Sequence, residues 1–96
     1  MPSTYLVLAT IRDDTDMAAL ASLVPDELAA VERLRDEGAL GAVHIAFARR
    51  VIFIEVFADT EEEVRNVVDA LPMGRFFDLD LYRTDPPGVP DPAAEG

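Results

Sequence analysis

Two strand-like runs lie next to each other in the middle of this chain. Leu40–Ala48 and Val51–Phe57 are rich in apolar and β-branched residues, and only Arg49 and Arg50 separate them. Parallel strands need a crossover of about a dozen residues, so a connection this short joins only antiparallel neighbours. Two arginines lack the Asn-Gly preference of a tight turn, so a bulge or a longer loop is an alternative. The sequence therefore predicts an antiparallel hairpin at this point.

A strand and a helix precede this hairpin. Thr4–Arg12 is a compact apolar run, which predicts a largely buried strand. Between Asp16 and Gly38 the apolar residues recur at steps of three and four, which predicts a helix. They are Leu20, Val24, Leu28, Val31 and Leu34. Pro25 removes a backbone donor inside this segment, so the helix is either kinked there or restarts with Pro25 at its first position.

A second helix and a fourth strand follow the hairpin. Thr60, with Glu63 three residues later, forms a capping box, and the apolar stripe after it predicts a helix that stops before Pro72. Arg75–Arg83 reads RFFDLDLYR, and its alternation of apolar and polar residues is typical of a half-buried strand. Residues 84–96 are rich in proline and acidic residues with little to bury, which predicts a flexible tail.

The elements follow one another in the order β-α-β-β-α-β. This order is typical of α+β domains of the ferredoxin-like type, in which two helices cover one face of a four-stranded antiparallel sheet. A chain of 96 residues has room for one such domain. We place the domain at residues 1–83 and the acidic, proline-rich tail at residues 84–96.

Both faces of this sheet are expected to be apolar. One alternating set is assigned to the face under the helices: Leu6, Leu8, Val43, Ile45, Phe47, Ile52, Ile54, Val56, Phe77, Leu79 and Leu81. The other set is assigned to the open face: Tyr5, Val7, Ala9, Ile11, Ala46, Val51, Phe53, Phe57, Phe76 and Tyr82. Soluble monomers seldom leave large apolar patches in water, so we expect a second copy of the chain to cover the open face. A few singly exposed apolar residues are the alternative.

Charge and composition argue against several kinds of function. The formal net charge is -11 and no basic stripe is present, which disfavours nucleic acid as a partner. The absence of cysteine excludes disulfides and thiolate metal sites. Asp78 and Asp80 have no third ligand nearby in sequence, and no glycine-rich phosphate loop occurs, so we expect neither a metal nor a cofactor. We expect a cytoplasmic protein without a membrane span or signal peptide.

A histidine and a glutamate are candidates for acid–base chemistry on the open face. If the hairpin is centred between Arg49 and Arg50, His44 lies opposite Glu55, close enough for the carboxylate to influence the imidazole. Such a pair suits a proton shuttle, although cross-strand pairs of this kind also occur as plain structural contacts. A loop of odd length would place the two residues on a diagonal instead.

Glu27 is the other candidate for acid–base chemistry. Its spacing from Val24 and Val31 places it at the edge of the helical apolar stripe, where a carboxylate is costly unless it borders a polar pocket or an interface. If the helix restarts at Pro25, however, the helix dipole alone favours Glu27 in the first turn.

Four arginines are candidates for binding an anionic ligand, because they lie at the predicted strand ends. They are Arg12, Arg49, Arg50 and Arg75. A guanidinium there can hold a carboxylate by a bidentate contact, and Arg75 is the preferred residue.

Three stretches resemble the muconolactone isomerase family. They read PDELAAVERLRDEG in the first helix, EVFADTEEEV around the second helix start, and LPMGRFFDLDLY leading into the last strand. The resemblance implies a ferredoxin-like protomer that dimerises through its sheet into a dimeric α/β barrel, either as a homodimer or as part of a higher homo-oligomer such as a ring. It also implies cofactor-independent proton transfer that shifts a double bond in an unsaturated lactone, with the glutamate of an Asp-Glu pair, here Glu27, moving the proton.

The same comparison of motifs shows where this chain differs from the isomerases. Leu28 replaces a lysine, and Gly41, Ala42 and Val43 replace aromatic and basic residues. We therefore expect a relative that acts on another small carbonyl compound.

Two functions are consistent with these observations. The first is a small isomerase or cyclase in which Glu27, or the pair His44 and Glu55, moves a proton on a small-molecule ligand in an interface pocket. The residues expected to hold that ligand are Tyr5, Phe53, Phe57, Arg75 and Phe76. The second is a non-catalytic module of the same fold that binds a ligand or only oligomerises.

Overall fold

Three helices and four strands make up the part of the chain that the computed structural model describes, residues 3–85. In chain order they are β1 (Ser3–Ile11), α1 (Met17–Ser22), α2 (Val24–Asp36), β2 (Leu40–Ala46), β3 (Val51–Ala58), α3 (Glu61–Asp69) and β4 (Phe77–Thr84). Two short 3-10 turns, Phe47–Arg49 and Gly74–Phe76, precede β3 and β4.

The four strands form one antiparallel sheet in the order β2-β3-β1-β4. The two central strands are the first and third in the chain, and the helices pack on one face. Element order and strand order together fit a ferredoxin-like fold. The predicted α+β class and the four-stranded antiparallel sheet are therefore confirmed.

The first helical segment divides into two helices at Leu23. The Asp16 carboxylate caps α1 by accepting hydrogen bonds from the Ala18 and Ala19 amides at 3.0 and 3.3 Å. Helix α2 then starts at Val24 with Pro25 in its first turn and no side-chain cap. Proline suits this position because it has a preset φ and no amide hydrogen that would need a partner. Of the two alternatives, a kink or a restart, the structure has the restart, with the helix beginning one residue before Pro25.

The predicted capping box of α3 is also present. Thr60 Oγ1 accepts a hydrogen bond from the Glu63 amide at 3.2 Å, and Glu63 Oε2 accepts one from the Asp59 amide at 2.9 Å. The box therefore reaches one residue before the N-cap, and it fixes the direction in which the chain enters the helix.

The central hairpin has a longer loop than a two-residue turn. Phe47–Arg49 forms a 3-10 turn, and Arg50 has the left-handed φ of 56° that lets the chain enter β3. The predicted strand Leu40–Ala48 therefore ends two residues early, and Phe47 lies in the turn rather than under the helices. The longer loop changes the register of the hairpin, so that His44 lies opposite Phe53.

Strand β1 has the opposite orientation to the one predicted. The residues buried beneath the helices are Tyr5, Val7, Ala9 and Ile11. Leu6 and Leu8 instead face the open side, in phase with Thr4 and Thr10. The prediction was wrong because this central strand is apolar on both faces, so alternation alone does not give its orientation. Phe76, predicted on the open face, lies in the turn before β4.

The assignments in the other strands are mostly correct. Ile52, Ile54 and Val56 are buried under the helices, while Phe53 and Phe57 lie in the alternate phase. Strand β4 runs through Thr84, one residue beyond the predicted domain boundary, and the Thr84 hydroxyl donates to the Thr4 carbonyl. The remainder of the predicted tail, residues 86–96, lies outside the described residues. Among residues 3–85, no helix has the length and apolarity needed to cross a membrane.

The orientation of β1 predicts the effect of two substitutions on stability. Val7 is 0% exposed, so Val7→Ala should lower the free energy of unfolding by about 2 kcal/mol, from lost burial plus a cavity. Thr10→Ala, on the exposed phase of the same strand, should change it by less than about 0.5 kcal/mol. Urea unfolding of both variants tests this, and equal losses would contradict the orientation.

Candidate active site

The side chain of Glu27 lies in the interior of the protein, between α2 and the sheet. Glu27 is in the first turn of α2 and is 8% exposed. Its Oε1 accepts a hydrogen bond from the backbone amide of Met73 at 3.0 Å. A buried carboxylate needs such a partner, because the loss of its hydration shell is costly. The Met73 amide, in the segment after α3, therefore fixes the position of one oxygen of the Glu27 carboxyl group.

A cavity of about 150 Å³ adjoins this carboxyl group. Its buried lining consists of Glu27 with Val31, Ile52, Ile54, Leu71 and Met73. Its more exposed lining consists of Leu28, Arg35, Val43 and Ile45. The cavity thus has an apolar floor between α2 and the sheet and a mouth at the β2 edge. Among the described residues, Glu27 and Arg35 are the only charged ones that line it.

The position of Glu27 follows from the periodicity of α2. Glu27, Val31 and Arg35 are four residues apart, and such residues lie on one face of a helix. Val31 packs into the core, which turns both charged neighbours towards the sheet. Asp26, one residue before Glu27, is exposed. Of the Asp-Glu pair, Asp26 therefore faces water and Glu27 faces the cavity.

Burial raises the pKa of the Glu27 carboxyl above its ordinary value, and the hydrogen bond from the Met73 amide lowers it by a smaller amount. Burial has the larger effect because an apolar surrounding disfavours the charged form. A carboxyl group with a raised pKa is a stronger base when ionised and stays protonated closer to neutral pH. It can therefore both accept and return a proton.

The predicted pair of His44 and Glu55 does not lie opposite each other. His44 is opposite Phe53, so Glu55 is on the diagonal; the cause is not a loop of odd length but a loop of four residues between the paired Ala46 and Val51. Glu55 Oε1 accepts a hydrogen bond from the Ala42 amide at 3.1 Å, and its carboxylate occupies the space where a side chain at Gly41 would be. The register shifts between Leu40 and Val43, so Glu55 supports a β-bulge in the edge strand.

The residues predicted to hold the ligand do not surround Glu27. Tyr5 is buried in the core and Phe53 and Phe57 lie on the opposite face of the sheet. Arg75 and Phe76 are in the turn before β4, where the guanidinium of Arg75 lies 4.9 Å from the centre of the Phe76 ring. None of these five residues lines the cavity. The sheet separates Glu27 from His44 and Glu55, so the structure contains two separate sets of candidates.

Two of the arginines predicted to bind an anion instead bind backbone carbonyls. Arg12 donates to the carbonyls of Phe77, at 3.3 Å, and of Arg75. Arg50 donates to the carbonyl of Arg12 at 2.7 Å. These hydrogen bonds connect the ends of β1, β3 and β4, so Arg12 and Arg50 contribute to the structure of the sheet end.

Sequence reasoning missed Arg35, Leu71 and Met73 as residues of the cavity. The spacing of Glu27, Val31 and Arg35 was a signal for the arginine, because it marks one helical face. The Leu71 and Met73 positions depend on how the chain turns after α3, where the Gly74 amide donates to the Leu71 carbonyl at 2.9 Å. No local sequence pattern predicts that the turn after α3 packs against α2.

Asp78 and Asp80 lie on the open face, beside Leu8 and Thr10 in a shallow depression. Within residues 3–85, no three His, Cys, Asp or Glu side chains are grouped so that they would hold a metal ion.

The sequence matches no known family model and no curated protein. The geometry of the cavity and the chemistry of its lining residues are therefore the basis for assigning a function.

The raised pKa of Glu27 predicts a specific dependence of stability on pH. The folded state holds this proton more tightly than the unfolded chain, where glutamate has a pKa of about 4.3. The stabilising contribution is thus complete below the unfolded pKa and is lost as pH rises through the folded pKa. Glu27→Gln keeps a hydrogen-bond acceptor for the Met73 amide but cannot ionise. We expect the variant to gain stability relative to the wild type as pH rises from the unfolded pKa through the folded pKa.

Urea unfolding at several pH values measures this difference. Glu32→Gln, which removes an exposed carboxylate from the same helix, controls for the change in net charge. A constant difference between wild type and Glu27→Gln across the range would show that the pKa of Glu27 is not raised.

Proposed function

We propose that this protein is a small cofactor-independent isomerase or cyclase that transfers a proton on an unsaturated lactone or related carbonyl compound. The observation that carries the proposal is the buried Glu27 carboxyl at the wall of an apolar cavity. A perturbed acid in a cavity is a recurring feature of acid–base active sites. The resemblance to muconolactone isomerases implies proton transfer by the same residue, and we propose that the chain is related to that family.

The proposed reaction is a double-bond shift. The Glu27 carboxylate removes a proton from the carbon next to the substrate carbonyl, and the electron pair of that C–H bond delocalises into an enolate. The resulting carboxylic acid returns the proton to the far carbon of the conjugated system. One C–H bond breaks and one forms, so the atoms and electrons balance and the carboxylate is regenerated.

The hydrogen bond from Met73 supports this use of Glu27. It engages Oε1 and leaves Oε2 to exchange the proton. A base that is held by a fixed backbone amide loses little freedom when the substrate binds, which favours the reaction through orientation. Apolar walls also strengthen electrostatic interactions in the cavity, because they lower the local dielectric constant.

The size of the cavity limits the substrate. A cavity of about 150 Å³ holds a molecule of about the size of benzene, or roughly six to ten non-hydrogen atoms. A five- or six-membered ring with a carbonyl and one substituent fits this volume. Larger polycyclic substrates do not.

We also propose that two copies of the chain pair through the open sheet face, as in a dimeric α/β barrel. Leu6 lies opposite Tyr82, and Leu8 lies opposite Phe53, so these four residues form a cluster across three adjacent strands. Phe53 and Tyr82 are 40% and 52% exposed. Polar side chains border the cluster, since Glu55 lies opposite Leu6, Asp80 opposite Leu8 and His44 opposite Phe53. An apolar centre with a polar surround is the usual anatomy of a protein interface.

In this proposal the reactive cavity belongs to one protomer, on the helix side, and the partner covers the other side of the sheet. From the sequence we expect a pocket at the dimer interface, whereas in this proposal the pocket lies within one protomer. Pairing would bury apolar surface and stabilise a small domain without disulfides.

Hydrogen exchange tests the proposed catalysis. In deuterated water with a β,γ-unsaturated butenolide, the wild type should speed up incorporation of deuterium next to the carbonyl, followed by NMR. Glu27→Gln should reduce that rate by about 100-fold or more, the usual contribution of a general base. His44→Ala, on the opposite face, should leave it within about twofold. If no substrate of this class exchanges above background with wild type, the protein is not such an enzyme, and ligand binding without catalysis becomes the better interpretation.

Sedimentation equilibrium tests the proposed dimer. Phe53→Asp introduces a charge into the apolar cluster and should shift the protein towards monomer, with at least a tenfold weaker self-association. Met17→Asp places the same charge on an exposed apolar residue of α1 and should leave the association unchanged. A wild type that is monomeric at micromolar concentration would contradict the proposal.

A further inference from the structure

Strand β2 contains a bulge near its start. The register with β3 shifts between Leu40 and Val43, so that Gly41 and Ala42 together lie opposite the single residue Glu55. An extra residue in one strand reverses the face of the sheet to which each following side chain points. The bulge therefore determines which residues of β2 point towards the helices.

The residues that the bulge turns towards the helices are those at the mouth of the cavity. Val43 and Ile45 are paired with buried residues of β3, and both line the cavity. His44 lies between them in the strand and is exposed on the open face, opposite Phe53. Without the bulge, the alternation that starts at the buried Leu40 would continue, and His44 would point towards the cavity in place of its two neighbours.

Two hydrogen bonds hold the bulge, one from β3 and one from α2. The Glu55 carboxylate on the open face accepts a hydrogen bond from the Ala42 amide at 3.1 Å. The Nε of Arg35 donates to the Gly41 carbonyl at 2.9 Å. A side chain at Gly41 would occupy the present position of the Glu55 carboxylate, so the glycine leaves the space that this contact needs.

We infer that Glu55 is a positioning residue that holds the β2 register from the open face and so places Val43 and Ile45 at the mouth of the cavity. Glu55 does not line the cavity, and it acts through the backbone of the bulge. The inference rests on the proposed function only for the catalytic use of the cavity. It adds a determinant of the shape of the cavity that lies on the other side of the sheet.

Amide exchange and ligand binding test this role together. The exchange rate of the Ala42 amide in deuterated water, followed by NMR, reports on the bulge. The dissociation constant of benzene, measured by NMR titration, reports on the cavity. Benzene fits the cavity by size and has no charge, so its affinity is insensitive to the net charge of each variant. Circular dichroism identifies a temperature at which every variant is folded, and all measurements are made there.

Two variants remove the hydrogen bond in different ways. Glu55→Ala deletes the acceptor, whereas Gly41→Ala keeps the charge of Glu55 and places a methyl group where its carboxylate now lies. We expect each variant to speed up exchange of the Ala42 amide about tenfold or more, because its hydrogen bond is lost. Each should also weaken benzene binding about fivefold, because the residues at the mouth are no longer held in one arrangement.

Two further variants serve as controls. Glu55→Gln keeps an oxygen that accepts from the Ala42 amide, so both values should stay within about twofold of the wild type. Asp78→Ala removes an exposed carboxylate from the same face, away from the bulge, and should leave both values unchanged. If Glu55 contributed only to global stability, Glu55→Ala would lower the unfolding midpoint without changing the benzene affinity of the folded protein.

Several results would overturn the inference. They are an unchanged exchange rate of the Ala42 amide in Glu55→Ala, an unchanged benzene affinity in that variant, an equal loss of affinity in Asp78→Ala, and no binding of benzene to the wild type at millimolar concentration. The proposed catalysis fails separately. If benzene affinity depends on Glu55 but no substrate takes up deuterium, the positioning role stands and the catalysis does not. If deuterium uptake depends on Glu27 and benzene affinity does not depend on Glu55, the catalysis stands and the positioning role does not.

Discussion

A carboxyl group buried between a helix and a sheet is the constraint around which this structure is arranged. Removing Glu27 from water is costly, and the Met73 amide offsets part of that cost by donating a hydrogen bond. The interaction connects the first turn of α2 to the segment that follows α3, which are 46 residues apart in the chain. Glu27 thus depends on the correct docking of both helices. The pKa of Glu27 reports on that docking. Burial raises this pKa, and the carboxyl group is buried only when both helices are in place.

Pro25 determines how this carboxyl group reaches the interior. A single helix from Met17 to Asp36 would have to accommodate a residue without an amide hydrogen in its middle. Instead the chain ends α1 at Ser22 and begins α2 at Val24, and the Glu27 amide donates to the Leu23 carbonyl at 2.8 Å. The break allows α2 to be rotated about its own axis independently of α1. That rotation places Glu27, Val31 and Arg35 over the sheet.

Much of the fold could be predicted from the sequence, because its signals are local. The restart at Pro25, the Thr60 capping box and the central hairpin each depend on a few neighbouring residues. The orientation of β1 was not predictable in the same way, because both of its alternating sets of residues are apolar. One set is Tyr5, Val7, Ala9 and Ile11, and the other contains Leu6 and Leu8. Thr4 and Thr10 were the weak signal that marks the open phase. The hairpin register depended on Arg50, whose left-handed conformation the sequence does not specify.

The candidate site was predictable only in part, for a related reason. Glu27 is identified by its place in a helical stripe, whereas the cavity beside it is completed by the segment after α3 and by two strands, β2 and β3. In the proposed reaction this arrangement has an electrostatic advantage. As the Glu27 carboxylate takes a proton, its negative charge passes to the enolate, so the number of charges in the apolar cavity stays constant. No additional charge has to be desolvated during the reaction. The proposed reaction therefore needs one buried acid, and the walls around it can remain apolar.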